Sequence, residues 1–128
     1  MEKSHFEQAR LWLVAAKHIA NISQDSSDKY SVATAMLVHA VLKANDAITT
    51  MFLQKTARKH DEAKKLFDEM IKDKRIEAEY AHYRAIIEEA IRNKAKAEYK
   101  IAFFSKKSYE DLERKAEKFL EMARKQLE

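Results

Sequence analysis

The chain has 128 residues, contains no glycine, proline or cysteine, and carries a formal net charge of +4 at pH 7. The lack of glycine excludes folds that need primed β-turns and the glycine-rich phosphate loops of P-loop and Rossmann proteins. The lack of cysteine excludes disulfides, thiolate nucleophiles and cysteine-ligated zinc. Strong helix formers dominate, with 20 alanines, 18 lysines and 14 glutamates, so we predict one all-α domain over residues 1–128.

No apolar run approaches the ~20 residues that a membrane-spanning helix needs. The N-terminus also lacks the apolar stretch of a signal peptide. We therefore expect a cytoplasmic protein that has no membrane partner.

The first predicted helix begins at Ser4, which forms a Ser-x-x-Glu capping box with Glu7, and ends near Ile22. Its apolar residues recur at steps of three and four, which gives one apolar stripe. A polar, aperiodic stretch follows at residues 23–29 and predicts a loop.

The second predicted helix, residues 30–55, is the most apolar segment of the chain. It contains no glutamate and one aspartate, so most of its circumference should be covered by neighbouring helices. This pattern predicts the central helix of the fold. Its main apolar stripe consists of Ala33, Leu37, Ala40, Val41, Ala44, Ala47, Ile48 and Met51.

Three further helices are predicted over residues 61–72, 74–102 and 109–127. The last of them begins at a second capping box, formed by Ser108 and Asp111. Short connections between long helices favour antiparallel neighbours. The sequence therefore predicts an up-and-down bundle of four to five antiparallel helices.

Positive charge is concentrated in residues 92–107, which hold six cations and one anion. Arg92, Lys96 and Lys100 share one helical face within about 80°, while Lys94 points away from it. A basic strip with interleaved aromatic residues can neutralise phosphates and stack a base, although cations near a helix end are also favoured by the helix dipole alone. The candidate nucleotide- or RNA-contacting residues here are Arg92, Lys94, Lys96, Tyr99 and Lys100.

The central helix also carries polar residues where burial is expected. His39, Lys43 and Asp46 fall within about 60° of one another on one face of it. Such residues form either a hydrogen-bonded network that fixes packing or a polar pocket that meets a ligand or a second subunit. The residues alone leave both interpretations open.

Two Glu-x-x-His pairs have the spacing found in di-iron helical bundles, namely Glu79 with His82 and Glu2 with His5. The second pair lies at the chain terminus, beside the first predicted cap, and the central helix supplies no glutamate. We therefore expect no metal site and no cofactor.

The order of these segments resembles HEPN-domain proteins, small helical domains of prokaryotic defence and toxin–antitoxin systems. The resemblance covers roughly residues 5–127. It rests on Tyr30-Ser31-Val32-Ala33 through Asn45-Asp46-Ala47-Ile48, on Lys55-Thr56-Ala57-Arg58-Lys59-His60-Asp61-Glu62-Ala63, on Arg92-Asn93-Lys94-Ala95-Lys96-Ala97-Glu98-Tyr99 and on Ala116-Glu117-Lys118-Phe119.

The resemblance implies a bundle of four or five helices that commonly dimerises. It also implies one of three roles: a ribonuclease, a nucleotide-binding partner of a minimal nucleotidyltransferase, or an inactive binding relative. The recurring family positions that this chain matches are His39, Asp46, His60, Lys94 and Tyr99.

Catalytic members of the family use an arginine and a histidine with four to six residues between them. Arg75 and His82 have this spacing and are predicted to share one face of the fourth helix. Active members usually carry a polar residue after the arginine, whereas Ile76 stands there in this chain.

The sequence thus predicts a non-catalytic, homodimeric HEPN-like module that binds a nucleotide, RNA or a nucleotidyltransferase-type partner. The basic strip would contact phosphates, with His60 and Tyr99 as base or partner contacts. One alternative is a metal-independent ribonuclease in which Arg75 stabilises charge and His82 acts as general acid and base. Another is a purely structural protein-interaction bundle.

Overall fold

The structure, a computed structural model, describes residues 1–23, 26, 28–98 and 104–128, with the backbone alone at 97 and 98. This part of the chain forms five α-helices and a 3-10 helix, without strands, so the predicted all-α bundle is confirmed. None of these helices has the length and apolarity to cross a bilayer. Their bounds are α1 Glu2–Ala20, α2 Asp28–Leu53, α3 His60–Lys72, the 3-10 helix Ala78–Tyr83, α4 Arg84–Glu98 and α5 Lys106–Leu127.

Three pairs of consecutive α-helices pack in opposite directions. Along each pair, residues nearer the end of the first helix contact residues nearer the start of the second, as antiparallel packing requires. For α1 and α2, Trp12 contacts His39, and Ile22, just after α1, contacts Lys29. For α3 and α4, Asp68 contacts Arg84 and His60 contacts Lys94. For α4 and α5, Tyr83, just before α4, contacts Phe119, and Glu89 contacts Lys115.

The helix α2 is the centre of the bundle, as its composition predicts. It contacts each of the other four α-helices, and eleven of its 26 residues are buried. Met51 differs from the rest of the predicted stripe, because it is 37% exposed. It lies in the last turn of α2 and lines an open cavity together with Met1 and Glu2.

Both predicted capping boxes are wrong. The helix α1 begins at Glu2 without a side-chain cap, and Glu7 binds the Arg10 guanidinium (Nε to Oε2, 3.0 Å) instead of reaching back to Ser4. The cap of α5 is Ser105, whose Oγ accepts a hydrogen bond from the Ser108 amide at 3.0 Å. A serine pair three residues apart satisfies the first turn there, so the helix begins earlier than predicted.

The predicted fourth helix is wrong over residues 74–83. The helix α3 ends in a left-handed turn at Lys74 (φ 58°), where the amide of Lys74 donates to Ile71 O at 3.1 Å and that of Arg75 to Met70 O at 2.9 Å. The next residue, Ile76, is buried and lies outside any helix. The α-helix therefore resumes only at Arg84.

The other predicted ends differ little from the observed ones. The bounds of α2 and α3 lie within two residues of the prediction. Residues 99–102 of the predicted fourth helix, Phe103 after it and positions 24, 25 and 27 of the predicted loop lie outside the described residues.

Candidate functional site

A cavity of about 170 Å³ lies between α2 and the start of α3. One wall is the polar face of α2 predicted from the sequence, and the other is the segment that leads into α3. Its lining residues are His39, Leu42, Lys43, Asp46, Ala57, Arg58, Lys59, His60 and Ala63. We call this cavity the α2–α3 pocket.

Hydrogen bonds between α2 and the chain that follows it fix the shape of the pocket. The buried Asn45 side chain donates from Nδ2 to Ala63 O at 3.1 Å, which ties the first turns of α3 to the middle of α2. The Ala57 amide donates to the Asp46 carboxylate and holds the connecting segment against α2. The two walls are therefore joined by hydrogen bonds at two points.

The ring of His39 is held in place by the first helix. Trp12 stacks on it with 4.7 Å between ring centroids and an interplanar angle of 25°. Stacking of this kind restricts the imidazole to one orientation, at the α1 side of the pocket. The sequence analysis identified His39 but not its partner Trp12.

Asp46 is the one carboxylate among the described residues that line the pocket. Burial raises its pKa, because the low-dielectric surroundings disfavour the charged form. The positive charges of His5 and Lys43 and the hydrogen bond from the Ala57 amide act in the opposite direction. The aspartate thus sits in a pocket whose remaining ionisable groups are bases.

Cations from separate parts of the chain surround the pocket. Lys43 belongs to α2, whereas Arg58 and Lys59 precede α3. The Lys94 ammonium of α4 contacts Nε2 of His60, which lines the pocket.

Arg58 differs from most other arginines of the bundle, and Lys59 follows it in the chain. Their side chains are exposed and, within the part of the chain that the structure describes, form no ion pair. The arginines that do bind carboxylates are Arg10, with Glu7, Arg84, with Asp68, Arg114, with Asp111, and Arg124, with Glu121. The charges of Arg58 and Lys59 are therefore available to a ligand.

The structure divides the predicted basic strip. Arg92 and Lys96 are exposed on α4, on a face about 200° of helical rotation from Lys94, which reaches the pocket. Tyr99 and Lys100 lie outside the described residues. Of the strip and its proposed contacts, the structure brings Lys94 and His60 together beside His39, Lys43 and Asp46.

The predicted helical face shared by Arg75 and His82 does not exist. Arg75 lies in the turn after α3, and His82 lies in the 3-10 helix, because the left-handed turn at Lys74 separates them. The His82 ring packs edge-on against Tyr83, with centroids 4.6 Å apart. No group of three or more histidines and carboxylates that could hold a metal occurs among the described residues.

The spacing of residues in the sequence did not indicate that His5, Arg58 and Lys59 belong to the site. His5 lies inside α1, half-buried, and its charge acts on Asp46. Its buried Nδ1 has no hydrogen-bond partner among the described residues. A signal for the other two was present, since residues 55–60 hold three cations and no anion.

No family model, curated protein or solved structure matches this chain. The HEPN resemblance therefore stays a prediction from the sequence. The chemistry of the α2–α3 pocket is therefore the basis for assigning a function.

Proposed function

We propose that this protein is a non-catalytic, HEPN-like binding module that takes a phosphate-bearing ligand, a nucleotide or RNA, in the α2–α3 pocket. The observation that carries the proposal is the convergence of basic side chains from three elements on one small cavity. Lysine and arginine are the side chains that bind phosphate oxygens in proteins, through charge-assisted hydrogen bonds. The converging cations are Lys43, Arg58, Lys59 and Lys94.

The size of the pocket limits what enters it. Pockets that enclose a drug-sized molecule usually measure about 300–1,000 Å³. At about 170 Å³, the α2–α3 pocket has room for one phosphate group or one small ring, and the rest of the ligand must lie outside. A ligand that carries its charge at one end or along a backbone fits this requirement.

The start of α3 adds a weaker attraction for an anion. Helix N-termini carry a partial positive charge, and Lys59, the N-cap of α3, makes no side-chain cap. Two carboxylates of the first turn, Asp61 and Glu62, already offset part of this charge, and Glu62 accepts a hydrogen bond from the Arg58 amide at 3.2 Å. The side-chain cations therefore contribute most of the attraction.

His60 supplies a surface for the non-phosphate part of the ligand. Its ring is exposed at the rim of the pocket and touches the Lys94 ammonium. Histidine rings stack on unpaired bases in nucleic-acid complexes. A base on His60 would place its phosphate next to Lys94 and Arg58.

Two further parts of the proposal rest on the family resemblance alone. These are a homodimer and a nucleotidyltransferase-type partner in a defence or toxin–antitoxin system of the cytoplasm. The ribonuclease alternative is disfavoured, because Arg75 and His82 lie on different elements.

The proposal is tested by two lysines on opposite faces of α4. A fluorescently labelled single-stranded RNA octanucleotide is titrated with wild-type protein, Lys94→Ala and Lys96→Ala, and binding is followed by anisotropy. We expect Lys94→Ala to weaken binding about tenfold, equivalent to about 1.4 kcal/mol, and Lys96→Ala to leave it unchanged. A second matched pair is Arg58→Ala, at the pocket, against Arg75→Ala, at the other end of α3.

Three results would contradict the proposal. In the first, the wild-type protein binds neither the octanucleotide nor a mononucleotide. In the second, Lys96→Ala weakens binding as much as Lys94→Ala. In the third, binding does not respond to salt, although phosphate contacts release counterions and must weaken as salt rises.

A further inference from the structure

The α2–α3 pocket is one of three neighbouring cavities that share lining residues. Arg58 lines both the pocket and a second cavity of about 400 Å³, which also contacts Leu66 of α3. Lys55 and Thr56 line the second cavity and a third of about 620 Å³ that reaches Met1. The concave surface therefore continues along residues 54–60, which we call the 54–60 segment.

This surface is longer than one phosphate group. Asp46 lines the first cavity and Gln54, just after α2, the third, and the eight helical steps between these positions correspond to about 12 Å. Successive nucleotides of one strand rise by about 3.4 Å in duplex DNA. A ligand that fills the surface therefore needs several nucleotides, whereas a mononucleotide occupies one end.

The 54–60 segment is held in place before a ligand arrives. The Lys55 amide donates to Thr49 O at 3.4 Å, the Ala57 amide donates to Asp46, and the Arg58 amide donates to Glu62. Backbone bonds to α2 and α3 thus anchor the segment while its long side chains stay exposed. A preorganised surface loses little entropy on binding.

The charges along the segment favour a polyanion. Lys55, Arg58 and Lys59 are exposed. Carboxylates near these cations include Asp46, which lines the α2–α3 pocket with Arg58 and Lys59, Glu69, 3.8 Å from the Lys55 ammonium in a solvent-exposed pair, and Glu62, bound to the Arg58 amide. An exposed ion pair of this kind contributes little stability, so Lys55 can exchange Glu69 for a phosphate. Glu2 lies in the third cavity and marks the acidic end of the surface.

We infer that the ligand is a single-stranded oligonucleotide of at least three nucleotides, with one phosphate in the α2–α3 pocket and its neighbours along the 54–60 segment. This inference rests on the proposed function. A single strand is required because a concave surface of this kind contacts individual bases and phosphates, and a duplex keeps its bases stacked and paired.

The first test varies the length of the ligand. Uridine monophosphate, a tetranucleotide and an octanucleotide of oligouridylate compete with labelled octanucleotide for the full-length protein. We expect the tetranucleotide to bind at least about tenfold more tightly than the mononucleotide and the octanucleotide to bind little better than the tetranucleotide. An equal affinity for mononucleotide and tetranucleotide overturns the inference and leaves the proposed function standing. If neither binds, the proposed function fails.

The second test removes a cation that only an oligonucleotide reaches. Lys55→Gln should weaken octanucleotide binding several-fold, lower the salt dependence by about 0.7 in log–log slope and leave mononucleotide binding unchanged. The matched control is Lys72→Gln, an exposed lysine at the far end of α3, which should change neither. Equal weakening of both ligands by Lys55→Gln overturns the inference, as does equal binding of a double-stranded octamer.

Discussion

At the residue scale, Asp46 connects the folding of the pocket with its chemistry. Its carboxylate accepts the Ala57 amide, and the charges of His5 and Lys43 act on it from α1 and α2. Replacement by an apolar residue would free the connecting segment, whereas the ionised carboxylate opposes an incoming phosphate. The raised pKa of Asp46, which burial causes, reduces this conflict because it moves the carboxyl closer to its neutral form.

The raised pKa predicts how stability depends on pH. A folded chain whose carboxyl has a raised pKa binds that proton more tightly than the unfolded chain, so the free energy of unfolding falls as pH rises. The fall begins near the ordinary aspartate pKa of about 4 and ends above the raised pKa. Asp46→Asn should remove this contribution, so wild-type protein should lose stability relative to the variant over this range.

Urea unfolding at a series of pH values measures the effect. Asp61→Asn, which changes an exposed carboxylate in the first turn of α3, is the control. A constant difference between wild type and Asp46→Asn across this range would contradict the raised pKa.

Part of the site was predictable at this scale. His39, Lys43 and Asp46 lie on one helix, so the helical repeat alone places them on one face, and the structure has all three lining the pocket. His5 and Arg58 were not predictable in this way. Their positions depend on where α1 begins and how the chain turns after α2, and neither follows from the spacing of apolar residues.

At the element scale, the chain makes left-handed turns without glycine. Gln54, after α2, and Lys74, after α3, have φ values of 54° and 58°. Residues with a Cβ adopt this region at a cost of roughly 1–2 kcal/mol, which explains why glycine is common at helix C-termini. The turn at Lys74 is what breaks the predicted fourth helix and separates Arg75 from His82.

Glycine at Lys74 should therefore stabilise the protein. We expect Lys74→Gly to raise the free energy of unfolding by about 1 kcal/mol, since the relief of the left-handed strain exceeds the entropy that glycine adds to the unfolded chain. Urea unfolding followed by circular dichroism measures the change. The control is Asp73→Gly, because φ there is −83° and glycine brings only its entropic penalty. A loss of stability in Lys74→Gly would show that the turn carries no such strain.

At the scale of the whole molecule, α2 packs against the four other α-helices, and these helices approach it closely. Several fully buried residues on it are alanines, which lets neighbouring backbones come near. His39, Lys43 and Asp46, which line the α2–α3 pocket, lie on the same helix, so the packing of the bundle and the shape of the pocket are coupled. These buried alanines are Ala33, Ala40, Ala44 and Ala47.

Enlarging one of these alanines should destabilise the bundle. Ala44→Leu adds three carbon atoms where no space exists and should lower the free energy of unfolding by about 1–3 kcal/mol. Ala85→Leu, on the exposed side of α4, should change it by less than about 0.5 kcal/mol. Thermal or urea unfolding compares the two. Similar stabilities for both variants would contradict the close packing around α2.

The all-α class and the central place of α2 were determined by the sequence itself. Both depend on local properties: helix propensity, the absence of glycine and proline, and an apolar repeat that leaves almost no charge in residues 30–53. The α2–α3 pocket was decided by the tertiary structure alone. Lys43, Arg58 and Lys94 belong to three elements, and they meet only because α3 docks on Asn45 and α4 turns one lysine toward His60. Such contacts depend on packing between distant segments, which no local pattern of residues specifies.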